Sequence, residues 1–175
     1  MPTPNLRMAR EGDAAALAAL SRELFIHTFV EDFAIPYPES DLRTYLANNF
    51  GEEDLRQRLV DPAQAWWVLE KERQLVGFVN AGPNSLLHPE AKDSHAELRR
   101  LYLARSVQGM GFGRLLVETA LPWMEAHTDG PLWIGVWSGN ERAQRLYARY
   151  GFERVGGYRY PVGSWFDEEH ILRRP

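Results

Sequence analysis

The amino-acid sequence predicts a mixed α/β domain whose sheet holds both parallel and antiparallel strand pairs. Three observations carry that expectation. Strand-like and helix-like segments alternate along the chain, and two adjacent strand-like runs around Lys71–Arg73 read as a hairpin. A glycine-rich loop then joins a strand over 96–104 to a helix. The 175 residues suit one domain, 1–175, and no repeat, low-complexity segment or linker divides them.

NLRMA (5–9) reads as a short strand. Asp13 can cap a helix that places Leu17, Leu20, Leu24 and Phe25 on one face. AIPYPES is a loop with Pro36 and Pro38, after which Ser40 or Asp41 can start a helix through Leu42, Tyr45 and Leu46. A second short helix, 52–60, stops at Asp61, which Pro62 pushes out of helical geometry. The hairpin AWWVLEKERQLVGFVNA follows, and the loop 82–95, with Gly82, Pro83, Asn84 and Pro89, is expected to be mobile. AELRRLYLA (96–104) is a strand, 111–127 a helix, PLWIGVW (131–137) a strand and 140–151 a helix ended by Gly151. Two strands, near 152–160 and 165–173, close the chain.

Composition narrows the function. Hydrophobic residues make up 45% and charged residues 25%, as in an ordinary soluble globular protein. A net charge of −4 disfavours a nucleic-acid partner. The absence of cysteine excludes disulfides, thiolate metal sites and a cysteine nucleophile. Five histidines, at 27, 88, 95, 127 and 170, show no HExxH or HxH spacing, so no metal is expected. MPTPNLRMAREGD has no apolar core of signal-peptide length, and no stretch approaches a membrane span. A cytoplasmic protein without a membrane partner is therefore expected.

QGMGFG (108–113) packs three glycines into six positions, a density that usually shapes backbone around a phosphate. A dinucleotide fingerprint would need a third glycine where Arg114 stands. A Walker loop would need a lysine followed by Ser or Thr, and no lysine is near. What remains is strand, glycine loop and helix, whose first free N–H groups and dipole suit anionic oxygen. Arg114 adds a cation just inside the helix. The same glycines would also serve a plain tight turn.

Gln108-Gly109-Met110-Gly111-Phe112-Gly113 matches QxxGxG, and NERAQRLYARYGF (140–152) matches N-x-x-A-x-x-x-Y-x-x-x-G-F. With the strand ELRRLYLA before them and LWIGVW between, these segments resemble the GNAT superfamily of N-acetyltransferases. The matching stretch, 96–152, is about a third of the chain. LWIGVWSGNERAQRLYARYGFERVG and GGYRYPVGSWFDEEHILRR are most similar to the bacterial spermidine/spermine-type branch. Two departures stand out: His170 where that branch has an aspartate, and Pro122 within a helix, which bends it.

The resemblance implies a mostly antiparallel mixed sheet of about seven strands with about four helices and two splayed central strands, 96–104 and 131–137. It implies acetyl-CoA as cosubstrate and no metal. Its pyrophosphate would lie on backbone N–H groups across Gln108, Gly109, Met110, Gly111, Phe112, Gly113 and Arg114. Leu103 and its neighbours would pair with the pantetheine amides like an added strand. Asn140 would cap the following helix and also reach the cofactor. Tyr147 would donate a proton or hydrogen bond to the departing thiolate; otherwise it is a packing aromatic, one step off the apolar stripe Ala143, Leu146 and Tyr150. Glu97 would be the general base; otherwise it is an exposed strand glutamate paired with Arg99 or Arg100. Phe29, Tyr37 and Tyr45, with Phe33, lie where the family binds its acceptor, and form either pocket or core.

The implied reaction is direct attack of a primary amine on acetyl-CoA in a ternary complex. The acceptor expected is a small molecule such as a polyamine, which Glu31-Asp32, Glu52-Glu53-Asp54 and Asp167-Glu168-Glu169 could attract unless they are plain solvated faces. A protein or peptide amine, and a non-catalytic acyl-CoA-binding sensor, are the competing readings. A homodimer is among the assemblies the resemblance implies.

Overall fold

A computed structural model describes residues 3–175. Its strands are β1 (Asn5–Met8), β2 (Ala65–Lys71), β3 (Gln74–Pro83), β4 (Ala96–Leu103), β5 (Leu132–Trp137), β6 (Glu153–Val162) and β7 (Trp165–Arg174). They form one seven-stranded sheet in the order β1-β2-β3-β4-β5-β7-β6. Every neighbouring pair is antiparallel except β4–β5. The helices are α1 (Ala14–Phe25), α2 (Glu39–Asn49), α3 (Glu52–Val60), α4 (Phe112–Ala126) and α5 (Glu141–Ala148).

The sheet is covered on both faces, which explains why AWWVL in β2 is a continuous buried run rather than an alternating one. Trp67 and Leu69 face α4, packing with Leu116, Val117, Ala120 and Met124. Trp66 and Val68 face the other way, onto Leu17, Leu24 and Leu55 of α1 and α3. Each face of that strand thus closes a separate apolar cluster, and period 2 in β2 meets period 3.6 in the helices. Glu72 and Arg73, with φ of 52° and 66°, make the two-residue hairpin turn that follows. Helix α4 continues through Pro122, which leaves the Glu118 carbonyl without its intrahelical donor.

Three local expectations change. Asp13 does not cap α1: its carboxylate accepts the Arg10 N–H at 2.7 Å and the Arg7 guanidinium at 2.8 and 2.9 Å, closing a short 3₁₀ turn before the helix. Asp41 does not cap α2, which starts at Glu39; it accepts Ser164 N–H at 2.9 Å and Oγ–H at 2.5 Å, tying α2 to the β6–β7 turn. The segment 84–95 is fastened rather than loose. Asn84 N–H donates to the His95 carbonyl at 2.8 Å, and Trp133 Nε1–H donates to His95 Nδ1 at 3.0 Å. Leu86 packs on Trp133 and Ile171. Pro89 shapes the path of this segment, while buried anchors decide its order.

Among the described residues no group of three or more His, Cys, Asp or Glu converges as a metal site. No helix among them is long and apolar enough to cross a membrane.

Candidate active site

Strands β4 and β5 pair only at Ala96–Leu132, Glu97–Trp133 and Leu98–Ile134, then part. A cleft of about 970 Å³ opens in the gap and runs from the glycine loop to an aromatic end beneath α1 and α2. Glycine at 109 and 111 is dictated by backbone: φ is +77° and +88°, where an L side chain is strained. A Cβ at either would meet no protein atom within 4 Å, so the space beside the loop is open to a ligand. Gly111 is the N-cap of α4 and brings no side-chain acceptor, which leaves the first N–H groups of the helix unclaimed by a cap. At Gly113 a Cβ would lie 3.6 Å from both Leu103 and Leu146, an ordinary contact, so neither space nor backbone demands glycine there.

Gln108 braces the loop: its Nε2–H donates to the Leu103 carbonyl at 2.9 Å and its Oε1 accepts from Arg142 at 3.3 Å. Arg114 pairs with Glu118 at 2.9 Å and stays exposed. Leu103, Gln108, Gly109, Gly111, Gly113, Arg114, Asn140 and Tyr147 line the cleft, whereas Met110 and Phe112 do not. Met110 is 61% exposed, and Phe112 opens α4 on its sheet-facing side, buried with Leu116 and Val117.

Asn140 caps α5, accepting the Ala143 N–H at 3.1 Å through Oδ1. Gln144 Nε2–H donates to the Trp137 and Ser138 carbonyls at 3.3 and 2.9 Å, fixing the β5–α5 turn. Tyr147 is not off the apolar stripe. It is the buried residue of α5, while Ala143, Leu146 and Tyr150 are only partly buried. The helix therefore turns Tyr147 inward to the cleft, where burial raises its phenol pKa and keeps it protonated. No protein group among the described residues hydrogen-bonds its hydroxyl.

At the other end, α1 widens into a π-helical stretch, Ile26–Asp32, of the kind often found at functional sites. It presents Phe29, which lies 5.9 Å from Phe33, and Phe33 in turn lies 4.5 Å from Trp137. Tyr45 meets Tyr160 hydroxyl to hydroxyl at 3.0 Å. Phe29 and Tyr45 line the cleft, but Tyr37 stands behind it: its hydroxyl donates to Asp167 at 2.5 Å within the core.

Arg99 is a bulged residue. Ala81 faces Leu98 while Asn80 faces Arg100, so β4 carries one residue more than β3 there. Leu98, Leu101 and Leu103 consequently stay on the α4 side, while Arg100 and Tyr102 turn toward α1 and Phe50. Glu97 is neither exposed nor ion-paired, in contrast to the exposed alternative: it is buried and accepts Ser85 N–H at 2.7 Å and Oγ–H at 2.8 Å. Burial raises its pKa against those two bonds.

The sequence offered Arg100 only as a partner for Glu97, and Glu169 only within the acidic cluster 167–169; neither stood out as a site residue. The Leu98, Leu101, Leu103 spacing, three then two, was the available sign of the bulge that aims Arg100. Asp167 and Glu169, two apart on β7, turn inward, whereas Glu168 between them is exposed beside Arg159. Glu169 lines the cleft with a pKa pushed up to about 8, by burial first and then by the charge of Asp167. The other acidic groups are already engaged. Arg105 holds Glu31 and Asp32 at 2.8 and 2.6 Å, and Arg56 holds Glu52 and Glu53 at 2.6 and 2.9 Å. His170 contacts Gln144 Oε1 at 3.3 Å rather than the cleft.

A profile of the Acetyltransferase (GNAT) family matches residues 22–152. An uncharacterized N-acetyltransferase in the pepI 3′ region of Lactobacillus delbrueckii subsp. lactis is 27% identical over 164 residues, covering 94% of this chain and 92% of that protein. The phosphinothricin N-acetyltransferase of Streptomyces coelicolor is 26% identical over 133 residues, 75% of this chain and 70% of its own. Among solved structures, PaiA N-acetyltransferase from Thermoplasma acidophilum in complex with coenzyme A superposes with a TM-score of 0.75, at 19% identity, over 99% of each chain.

Proposed function

Because the chain belongs to the Acetyltransferase (GNAT) family, we propose that it is a cytoplasmic enzyme moving the acetyl group of acetyl-CoA to a primary amine of a small molecule by direct attack. One observation supports this reading above the rest: a single cleft joins a backbone-built anion cradle to a pocket of buried ionisable groups, with Tyr147 on its wall. Acetyl-CoA would supply an activated acetyl thioester. The open N–H groups of the Gly109–Gly113 loop and Arg114 suit its pyrophosphate. The edge of β4 beyond Leu98 suits its amides, although Gln108 already holds the Leu103 carbonyl.

Tyr147 donates a hydrogen bond, or a proton, to the departing sulfur. Its raised pKa keeps the phenol neutral and able to donate, and favours the hydrogen bond over complete transfer to a thiolate of pKa about 8.5. An alkylammonium of pKa about 10.4 must lose a proton before attack. Glu169, at about 8, accepts that proton across a far smaller gap than an ordinary carboxylate. Glu97, gripped by Ser85, orients the amine or a water toward it.

A polyamine would need several unpaired carboxylates. Of the three clusters offered by the sequence, two are bound to Arg105, Arg56 and Arg58, and in the third Glu168 faces Arg159 and Asp167 is held by Tyr37 and Trp165, which leaves Glu169 together with Glu97. A peptide acceptor would need an open groove, whereas Ile35 and Tyr37 of the proline segment are packed into the aromatic cluster. The test is an amine panel (polyamines, amino acids, aminoglycosides and short peptides) followed by CoA release. Release with at least one small amine is expected. Tight acetyl-CoA binding without release for any amine would favour a sensor.

A further inference from the structure

Arg100 is a cation without a counter-ion. Its side chain lies over the Phe50 ring, 4.7 Å from the centroid, and Nη1 is buried with no hydrogen-bond acceptor among the described residues. Nη2 reaches only the Asn49 carbonyl, at a long 3.4 Å. No carboxylate among the described residues lies within ion-pair distance of it. Another cation, Arg58, also lines the cleft and is itself paired with Asp54 at 2.9 Å, so it adds repulsion rather than a partner.

A guanidinium cannot shed its proton, and its planar fork matches an oxyanion. Desolvating it without an anion is strongly unfavourable. The acids nearby do not serve: Asp167 is taken by Tyr37 and Trp165, and Glu169 forms no ion pair with Arg100. The phosphates of the donor do not serve either. The glycine loop opens α4, and Arg100 leaves β4 on the face opposite α4, beside Tyr102 and Phe50. Arg100, Tyr102 and Glu169 all line the same cleft, so cation and carboxylate share its acceptor end.

We propose that the acceptor is an amine bearing an anionic group, a carboxylate or an acid of similar shape, which Arg100 binds while the amine faces Glu169. This rests on the acetyltransfer reading above and narrows it to amino-acid-like acceptors, against polyamines. Arg100 is then a specificity residue and not a structural one.

The test compares amino acids with their amides and with polyamines, for wild type, Arg100→Lys and Arg100→Met, using purified protein and acetyl-CoA. Wild type is expected to prefer each acid over its amide at least about tenfold in kcat/KM. Arg100→Met raises KM for the acids by roughly ten- to hundredfold and erases that preference, and Arg100→Lys keeps part of it. Acetyl-CoA affinity by calorimetry holds, and Tm holds or rises because an uncompensated buried charge has been removed. Three results overturn the proposal alone: transfer in wild type that is equal for amides or best for polyamines, an equal loss of acetyl-CoA affinity in Arg100→Met, or a fall in Tm that slows acids and amides alike. Failure of every amine, with acetyl-CoA bound, overturns the acetyltransfer reading beneath it.

Discussion

At one end of the cleft the working groups belong to the backbone, and at the other they belong to side chains. The glycine loop presents N–H groups whose direction follows from two left-handed residues and a helix start. The aromatic end gathers Arg100, Glu97, Glu169 and several tyrosines from β4, β6, β7 and α2, elements far apart in the chain. Backbone chemistry is the same whatever the ligand's other half, so such a site suits the donor that a whole family shares. Side-chain chemistry is where one member departs from the next, so the second end carries acceptor choice.

If that division holds, the largest effect comes from the wall between the ends. Tyr147→Phe should lower kcat by about 10²- to 10⁴-fold and leave acetyl-CoA affinity within about twofold. Steady-state kinetics with calorimetry decides it, and equal turnover would remove the phenol from the chemistry. Gly111→Val attacks the donor end alone. It imposes about 1–2 kcal/mol of backbone strain at φ +88° and fills open space, so acetyl-CoA should bind at least about tenfold more weakly. Unchanged affinity would place the donor elsewhere.

Glu169→Gln probes the acceptor end through pH. In wild type the rate should climb as pH rises through about 8, where the carboxylate loses its proton. The glutamine variant should be slow and lack that step, while Glu97→Gln should be slow and retain it. Stability gives an independent reading. The folded pKa lies above the unfolded value, so the native state binds more protons between about 4.5 and about 8, and stability falls as pH rises across that window. Thermal melts of Glu169→Gln should match wild type near pH 4 and exceed it near pH 9. The smallest effect is Asn140→Ala, which removes the α5 cap for about 1 kcal/mol, read as a lowered Tm with nearly normal turnover.

The same division explains what the sequence disclosed. The strands and the helices are governed by local periodicity and by glycines whose role is backbone geometry, and these were legible, whereas the parting of β4 from β5 was implied by the family resemblance alone. The acceptor end depends on partners distant in sequence. Tyr37 looked like a pocket aromatic until Asp167, 130 residues away, took its hydroxyl. For Glu97 the sequence left open a general base and an exposed strand glutamate, because Ser85, which holds and buries it, sits in a segment that reads as a loose loop. Asp13 and Asp41 had the right chemistry for caps, but Arg7 and the β6–β7 turn competed successfully for them. Arg100 faces the cleft only because Arg99 adds a residue to the strand, and a bulge leaves a weak trace in hydrophobic spacing.

The short β4–β5 seam has a consequence for the protein at rest. With three paired positions, the sheet is two smaller sheets stitched at one end. Beyond the stitch, each inner strand shows an unpaired row of polar backbone in mid-sheet, the kind of edge that invites pairing with another chain. A cosubstrate lying in that gap would act as a chaperone as well as a donor. Hydrogen exchange along residues 99–103 and 135–137, and aggregation on warming, should both fall as acetyl-CoA saturates the protein.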